Sequence, residues 1–190
     1  FESEMKTPNT EIYKYEIPGG QYSNLLAQVK AMGSADQFEE IKHLYKDAND
    51  LLGNIVKVTP SSKVVGDMAI FMSKNGLTKD NIMTEGAEVS YPDSVVDYFL
   101  GNIGQPEGGF PADLQKIVLK GQKPIEGRAG ALLPPADWEA IEKHLHEAHA
   151  LKKVNPRNVL SYALYPKVYD DYVNHEEVYT DVSKLSSDVF

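Results

Sequence analysis

The chain has 190 residues, and its 19 lysines and arginines stand against 28 aspartates and glutamates, which gives a formal net charge of −9 at pH 7. That charge argues against a protein whose main task is to neutralise nucleic-acid phosphates. The absence of cysteine excludes disulfides, thiolate metal sites and a cysteine nucleophile. No stretch approaches 18 consecutive apolar residues, so the sequence predicts no membrane-spanning helix. Because the sequence begins with Phe1, we expect it to be a piece of a longer protein.

Helical signals dominate the sequence. Apolar residues recur at spacings of three and four positions, and glycine, proline or a capping residue bounds each such segment. In chain order, we predict helices at about 23–32, 38–52, 63–75, 78–84, 93–100, 111–120, 137–145, 155–164 and 170–174. Only segments 11–17 and 54–58 are predicted to be extended, which is too little strand for a sheet. The predicted fold is therefore mainly α, an irregular multi-helix bundle with little or no sheet.

Glycine and proline are concentrated in segments 101–111 and 121–135, where such density breaks regular structure. We predict a domain boundary near residues 121–135. An N-terminal helical subdomain, 1–121, would carry both motifs described below, and a C-terminal helical subdomain, 122–190, would follow the linker.

The first candidate motif is segment 17–25 (IPGGQYSNL), where a proline and two glycines precede a helix that Ser23 or Asn24 is predicted to cap. A tight turn there would free backbone amides and lift Gln21 to the rim of a binding site, where its side-chain amide can donate and accept hydrogen bonds. A capped turn that only leads into the helix explains the same residues and is the more common use of such a pattern.

The second candidate motif is segment 58–67 (VTPSSKVVGD). Pro60 disfavours a helical conformation for Thr59, and Ser61 or Ser62 is predicted to cap the next helix. Lys63 adds a cation to a helix N-terminus, where it opposes the helix dipole by about 0.3–1 kcal/mol, which favours a role in binding a ligand. These donors suit a carbonyl group or a developing oxyanion. An ordinary helix cap with a solvated lysine is the alternative.

A third segment, His144–His149, partly matches the zinc motif H-E-x-x-H, but His146 and His149 are one residue too close. We therefore expect a solvated helix face and no metal site in this chain.

The two candidate motifs and three later stretches together resemble the C-terminal part of the carboxyltransferase domain in the pyruvate carboxylase family. The matching stretches are YEIPGGQYSNL (15–25), VKVTPSSKVVGD (56–67), GGFP (108–111), EGRAG (126–130) and LSYALYP (160–166). The resemblance implies a biotin-dependent enzyme in which ATP and bicarbonate carboxylate biotin, and the carboxyltransferase domain moves the carboxyl group to pyruvate, giving oxaloacetate. That domain is a (β/α)8 barrel followed by a funnel of helices, and this chain corresponds to the funnel.

The resemblance also assigns roles to individual residues. In the family, the threonine of the T-P-S-S-K motif relays a proton between the pyruvate methyl group and a biotin nitrogen, which implies that role for Thr59. The second serine and the lysine help to place the biotin ureido ring, which implies the same for Ser62 and Lys63. The glutamine after the glycine pair belongs to the biotin pocket, which implies that Gln21 does too. Ser23 replaces a threonine that many relatives carry, and it retains the hydroxyl.

The implied partners are the barrel, a domain that carries the attached biotin, and other subunits of a homotetramer. The divalent metal and the pyruvate-binding arginine belong to the barrel in this family, and ATP is used by a further domain. None of their sequence motifs, nor the biotin-attachment sequence, occurs in this chain, so we expect the isolated chain to be inactive. The resemblance implies a cytoplasmic location, or the mitochondrial matrix in an animal.

Two other functions are open. The first is a subunit of an oxaloacetate decarboxylase or transcarboxylase, but those enzymes usually carry methionine in place of Gln21 and glutamine in place of Lys63. The second is a non-catalytic helical assembly module, which the negative charge and the helical content also suit.

Overall fold

The computed structural model describes residues 10–148 and 154–176, and within them the chain forms helices and no β-strand. The α-helices are α1 (Glu11–Tyr15), α2 (Gly19–Ala31), α3 (Phe38–Leu51), α4 (Ser61–Asn75), α5 (Asp93–Leu100), α6 (Ala112–Leu119), α7 (Ala129–Leu132), α8 (Trp138–Ala148), α9 (Pro156–Leu164) and α10 (Pro166–Asn174). Short 3-10 helices occupy Ala35–Gln37 and Glu85–Glu88. The prediction of a mainly α bundle is confirmed. None of the helices formed by these residues is long and apolar enough to cross a bilayer.

The chain divides into two compact units, Phe1–Leu132 and Leu133–Phe190. The division falls inside the glycine- and proline-rich segment 121–135. The functional subdomains predicted at 1–121 and 122–190 remain a prediction.

Helices α3 and α4 form the centre of the first unit. On α3, apolar residues at spacings of three and four bury one face against α4, as the sequence pattern predicts; they are Phe38, Ile41, Leu44, Tyr45 and Ala48. Helix α4 is buried over more of its circumference because it also packs against α2 and α5. Helix α4 is therefore held from several sides.

A buried lysine ties the first three helices together. Lys42 on α3 is 1% exposed, and its ammonium lies 2.5 Å from Glu11 Oε2 and 2.6 Å from Glu39 Oε1. Tyr22 on α2 donates to the same Glu11 oxygen at 3.2 Å. Burial alone would lower the pKa of Lys42, but the hydrogen bonds that its ammonium donates to Glu11 and Glu39 outweigh burial and raise that pKa above its ordinary value.

The predictions of an extended segment at 11–17 and of a helix that begins at Ser23 or Asn24 are wrong. Residues 11–15 form helix α1, because Tyr15 is buried and Glu11 pairs with Lys42 far along the chain. Helix α2 begins at Gly19, four residues earlier than predicted, and the Ser23 hydroxyl donates back to the Gly19 carbonyl at 3.4 Å instead of capping the helix.

Two other segments differ from prediction in detail. Residues 78–84 form turns that precede the 3-10 helix, because the Asn81 side chain accepts from the Thr78 amide at 2.6 Å and holds the chain in a local turn. Segment 54–58 forms no strand. Its side chains nevertheless alternate, with Ile55 buried and Val56 and Val58 exposed.

The second unit contains α8, α9 and α10 around a small cluster of Leu145, Val159 and Tyr169. The predicted cap of α9 is confirmed. The Asn155 side chain accepts from the Asn158 backbone amide at 3.0 Å, and the Asn158 side chain accepts from the Asn155 backbone amide. Pro156 occupies the first turn.

Candidate functional site

Thr59 lies in the short connection that precedes α4, and its side chain is exposed. Its hydroxyl has no hydrogen-bond partner within the part of the chain that the structure describes. The peptide bond to Pro60 is cis. Thr59 is therefore able to donate a hydrogen bond to one group and accept one from another outside this chain.

Neither Ser61 nor Ser62 caps α4, so that prediction is wrong. The helix begins at Ser61, two residues before the predicted start at Lys63, and Pro60 occupies the cap position without a side-chain hydrogen bond. The Ser61 hydroxyl points back along the chain, and its single proton is shared between the carbonyl oxygens of Val56 and Val58, which lie 2.5 and 2.8 Å from Oγ.

Ser62 is buried at the start of α4. It is 9% exposed, and its carbonyl oxygen accepts a hydrogen bond from the Tyr45 hydroxyl at 3.4 Å. Burial raises the pKa of Tyr45 above its ordinary value, so the tyrosine is a neutral donor in this contact. Only a small part of Ser62 is accessible to a ligand.

Lys63 is exposed but paired. Its side chain is 65% exposed, and its ammonium forms an ion pair with Asp67, one helical turn further along α4. The Asp67 carboxylate also accepts a 2.6 Å hydrogen bond from the Ser94 hydroxyl on α5. Asp67 offsets the unfavourable position of Lys63 at the helix N-terminus, so the argument that the dipole alone favours a ligand role for Lys63 does not hold.

Gln21 belongs to the first turn of α2 instead of a turn before the helix. Its side-chain amide lies directly against Gly66 on α4: a Cβ atom at Gly66 would be 2.5 Å from Gln21 Nε2. Only glycine allows the amide to lie there.

The structure thus brings the two sequence motifs together. Gly66 is four residues after Ser62 and so lies on the same face of α4, which places Gln21 beside the first turns of that helix. Thr59 lies two residues before the same helix. Ser62 and Lys63 belong to the first turn of α4. The four predicted site residues therefore all lie at the N-terminal half of this helix, with Ser62 the most enclosed.

Two cavities adjoin this region. One of about 680 Å³ opens beside Pro60 and is lined by the loop 102–105 and by Arg128. The other, of about 570 Å³, is lined by Ser61 and by residues of the same loop, including Gln105. No role is predicted from the sequence for Gln105, Arg128, Gly66 or Asp67. The last three lie in stretches that carry the family resemblance, 126–130 and 56–67, whereas no signal in the sequence points to Gln105.

No group of three or more histidine, aspartate or glutamate side chains within 10–148 and 154–176 could hold a metal ion. His144 instead lies 3.4 Å from Asp170 within the second unit. His149, the last residue of the partial zinc motif, lies outside the described residues.

Comparison with known proteins identifies the family. Residues 12–190 match the family described as a conserved carboxylase domain. Pyruvate carboxylase of Bacillus subtilis is 53% identical over all 190 residues of this chain, and human mitochondrial pyruvate carboxylase is 44% identical over 98% of it. The solved carboxyltransferase domain of Rhizobium etli pyruvate carboxylase superimposes on 98% of this chain with a TM-score of 0.88 and 43% identity. That domain has also been solved with pyruvate and biocytin.

The chain spans 16% of the length of the two curated relatives and 31% of the solved domain. The likeness extends over nearly the whole chain and includes both motifs. The chain belongs to the conserved carboxylase domain family, and it corresponds to part of the carboxyltransferase region of pyruvate carboxylase.

Proposed function

We propose that this chain forms the biotin-side wall of the carboxyltransferase site in a pyruvate carboxylase. The catalysed reaction is transfer of a carboxyl group to pyruvate, which yields oxaloacetate. The proposal is supported by the match of the chain to the carboxyltransferase domain that has been solved with pyruvate and biocytin. It is also supported by the grouping of Thr59, Gln21 and Lys63 around the first turns of one helix.

The side chains around the N-terminal half of α4 fit biotin. The ureido ring of biotin is neutral and flat, and its carbonyl oxygen accepts hydrogen bonds while its N–H groups donate them. Its carbonyl edge therefore suits donors such as an ammonium, an amide and a hydroxyl. Lys63 and Gln21 supply the first two of these donors, and Thr59 supplies an exposed hydroxyl. When bound in its carboxylated form, biotin would supply the carboxyl group that is transferred.

Thr59 is the proposed catalytic residue. A hydroxyl can accept a proton at Oγ while it gives up its own, so it moves a proton without holding a net charge. The exposed side chain of Thr59, without a partner in the described chain, is the observation that carries this role, because a hydroxyl already bonded within the protein would have to be released first.

Lys63 and Gln21 are the proposed binding residues. The Lys63 ammonium lies on a flexible stem that is 65% exposed, so it can turn from Asp67 towards a ligand carbonyl. Gln21 is held against Gly66, which gives its amide a fixed position. Ser62, which is nearly enclosed, is proposed to contribute a short hydrogen bond at the edge of the pocket.

The rest of the proposed enzyme lies beyond this chain. We propose that the barrel supplies the metal and the pyruvate-binding residues, that a carrier domain supplies biotin, and that ATP acts in another domain of a homotetramer. A bacterial cytoplasmic or a mitochondrial location agrees with the relatives, which include both bacterial and mitochondrial enzymes.

The test is Thr59→Ala in the full-length enzyme. We expect carboxyl transfer to pyruvate to fall by about 10²- to 10⁴-fold, the usual contribution of a positioned acid–base group. Bicarbonate-dependent ATP cleavage, measured in the same preparation, should remain. Thr84→Ala removes another exposed threonine and serves as the control. Unchanged carboxyl transfer would favour a non-catalytic assembly module.

A further inference from the structure

Hydrogen bonds of the Ser61 side chain hold the backbone that precedes Thr59, whereas the sequence predicts that Ser61 or Ser62 caps α4. Ser61 Oγ lies 2.5 Å from the Val56 carbonyl oxygen and 2.8 Å from the Val58 carbonyl oxygen, so the one proton of this hydroxyl is shared between the two acceptors. It also accepts a hydrogen bond from the Val58 amide at 3.2 Å. One hydroxyl thus uses both its donor and its acceptor capacity on the segment that immediately precedes Thr59.

These bonds fix the peptide plane that enters Thr59. The Val58 carbonyl accepts from the Ser61 hydroxyl and also from the Ser62 amide at 2.8 Å. The Val58 amide donates to Ser61 Oγ and, at 3.2 Å, to the Val56 carbonyl. Both polar groups of Val58 are therefore occupied, so the plane between Val58 and Thr59 has little freedom to rotate.

The segment that precedes Thr59 is also held by contacts of Lys57 and Asn49. Lys57 is 16% exposed and lies 3.3 Å from Glu16 Oε2. With its amide oriented to satisfy both neighbours, Asn49 donates to the Ile55 carbonyl at 3.3 Å and accepts from Lys57 Nζ at 3.1 Å. Lys57 and Asn49 hold the middle of the segment, and Ser61 holds its end.

The hydrogen bonds of the Ser61 hydroxyl do not cap helix α4. A serine that caps a helix accepts from amides inside that helix, whereas Ser61 bonds only the segment before α4 in the contacts described above. Its effect is on the position of the residue between that segment and Pro60, which is Thr59.

We propose that Ser61 is a positioning residue for Thr59: its hydroxyl holds the Val56–Val58 backbone so that the Thr59 hydroxyl stays at the reacting atoms. This inference rests on the proposed function of Thr59. Because a displacement of about 1 Å can cost on the order of 10²-fold in rate, loss of the Ser61 hydroxyl should lower kcat. Substrate binding should change little, since Ser61 is not among the proposed binding residues.

The experiment compares Ser61→Ala and Ser61→Thr in the full-length enzyme, and its probe reaction is transfer of the carboxyl group from oxaloacetate to free biotin, the reverse of the proposed step. We expect Ser61→Ala to lower kcat for carboxyl transfer by about 10- to 100-fold, with KM for biotin within about twofold of the parent. Ser61→Thr keeps the hydroxyl and should restore most of kcat. Ser61→Cys, a weaker donor of similar shape, should give an intermediate value and provides a second test if Ser61→Ala unfolds. Ser90→Ala, at an exposed serine, is the control.

The double variant Thr59→Ala/Ser61→Ala separates this inference from the proposed function. If Ser61 acts through Thr59, the double variant should be no slower than Thr59→Ala alone. Additive losses, equal kcat in Ser61→Ala and the parent, or failure of Ser61→Thr to restore kcat would overturn the positioning role. If Thr59→Ala itself keeps full carboxyl transfer, the proposed function fails and the role of Ser61 fails with it.

Discussion

The ammonium of Lys63 is paired with the carboxylate of Asp67, one turn away on the same helix. Asp67 is only 11% exposed and is held in turn by the Ser94 hydroxyl at 2.6 Å, whereas Lys63 is 65% exposed. The acid is thus the fixed partner and the lysine the movable one. For Lys63 to bind a ligand, it must leave Asp67 or share it.

Asp67→Asn tests this competition. An exposed ion pair contributes about 0.2–1 kcal/mol, so removing the charge should release Lys63 and lower KM for free biotin by up to about fivefold. In a Lys63→Gln background the same change should have no effect. Asp80→Asn, at an exposed aspartate, is the control. A higher KM in Asp67→Asn would mean that Asp67 orients Lys63 and does not compete for it.

Gly66→Ala tests the contact between the two motifs. The new Cβ would be 2.5 Å from Gln21 Nε2, so the Gln21 amide must move. We expect KM for biotin to rise as it does in Gln21→Ala, and we expect Gly66→Ala to add little in the Gln21→Ala background. Gly20→Ala is the matched control, since a Cβ there meets no atom within 4 Å. If Gly66→Ala raised KM for biotin equally in the parent and in the Gln21→Ala background, the contact between Gln21 and Gly66 would not be the cause of the rise.

Lys42→Met tests the buried lysine that joins α1, α2 and α3. Because it leaves the Glu11 carboxylate and the Tyr22 hydroxyl without their cation, we expect the free energy of unfolding of the chain to fall by about 1–3 kcal/mol at pH 7. Denaturant titration followed by circular dichroism measures it. Lys116→Met, whose only described partner is Asp113 on an exposed face, should change stability by less than about 0.5 kcal/mol.

The difference in the free energy of unfolding between the parent chain and Lys42→Met should depend on pH in a definite direction. The pKa of Lys42 is raised above its ordinary value of 10.5, so the folded state holds this proton more tightly than the unfolded state. The contribution of the charged Lys42 to the free energy of unfolding is fully present below pH 10.5, and it is lost as the pH rises through the pKa that Lys42 has in the folded state. The gap between the parent and Lys42→Met should therefore be constant from pH 7 to pH 9 and should narrow above about pH 10.5. A gap that narrows below pH 9 would contradict the assigned network.

The isolated chain is expected to be inactive, because the proposed metal and pyruvate-binding residues lie outside it. Incorporation of radiolabelled bicarbonate into oxaloacetate by the purified 190-residue chain measures this directly. Incorporation above that of a Thr59→Ala control chain would show that the chain contains a complete site.

The regular parts of this fold follow from local sequence patterns. Helix α3 was predicted at 38–52 and is found at Phe38–Leu51, because its buried face repeats every three or four residues. The start of α9 was predicted from the Asn155–Pro156 pair, and both ends of the capping box are present. In each case, the interactions that define the element join residues close together in the chain.

The parts that could not be predicted depend on distant residues. Helix α1 forms at 11–15 because Glu11 meets Lys42, 31 positions later. The location of Gln21 depends on Gly66, which belongs to another helix. The identity of the site residues came from resemblance. Their arrangement at α4 could be seen only in the three-dimensional structure. The same is true of the Ser61 hydroxyl, which bonds the backbone before α4 instead of capping the helix.

The proton transfer at Thr59 is the central claim, and a comparison of Thr59→Ser with Thr59→Val tests it most directly. Serine keeps the hydroxyl, whereas valine keeps the shape of threonine without it. In the full-length enzyme, we predict that Thr59→Ser retains carboxyl transfer within about 10-fold of the parent, while Thr59→Val loses about 10²-fold or more. Equal rates for the serine and valine variants would show that Thr59 moves no proton in this reaction.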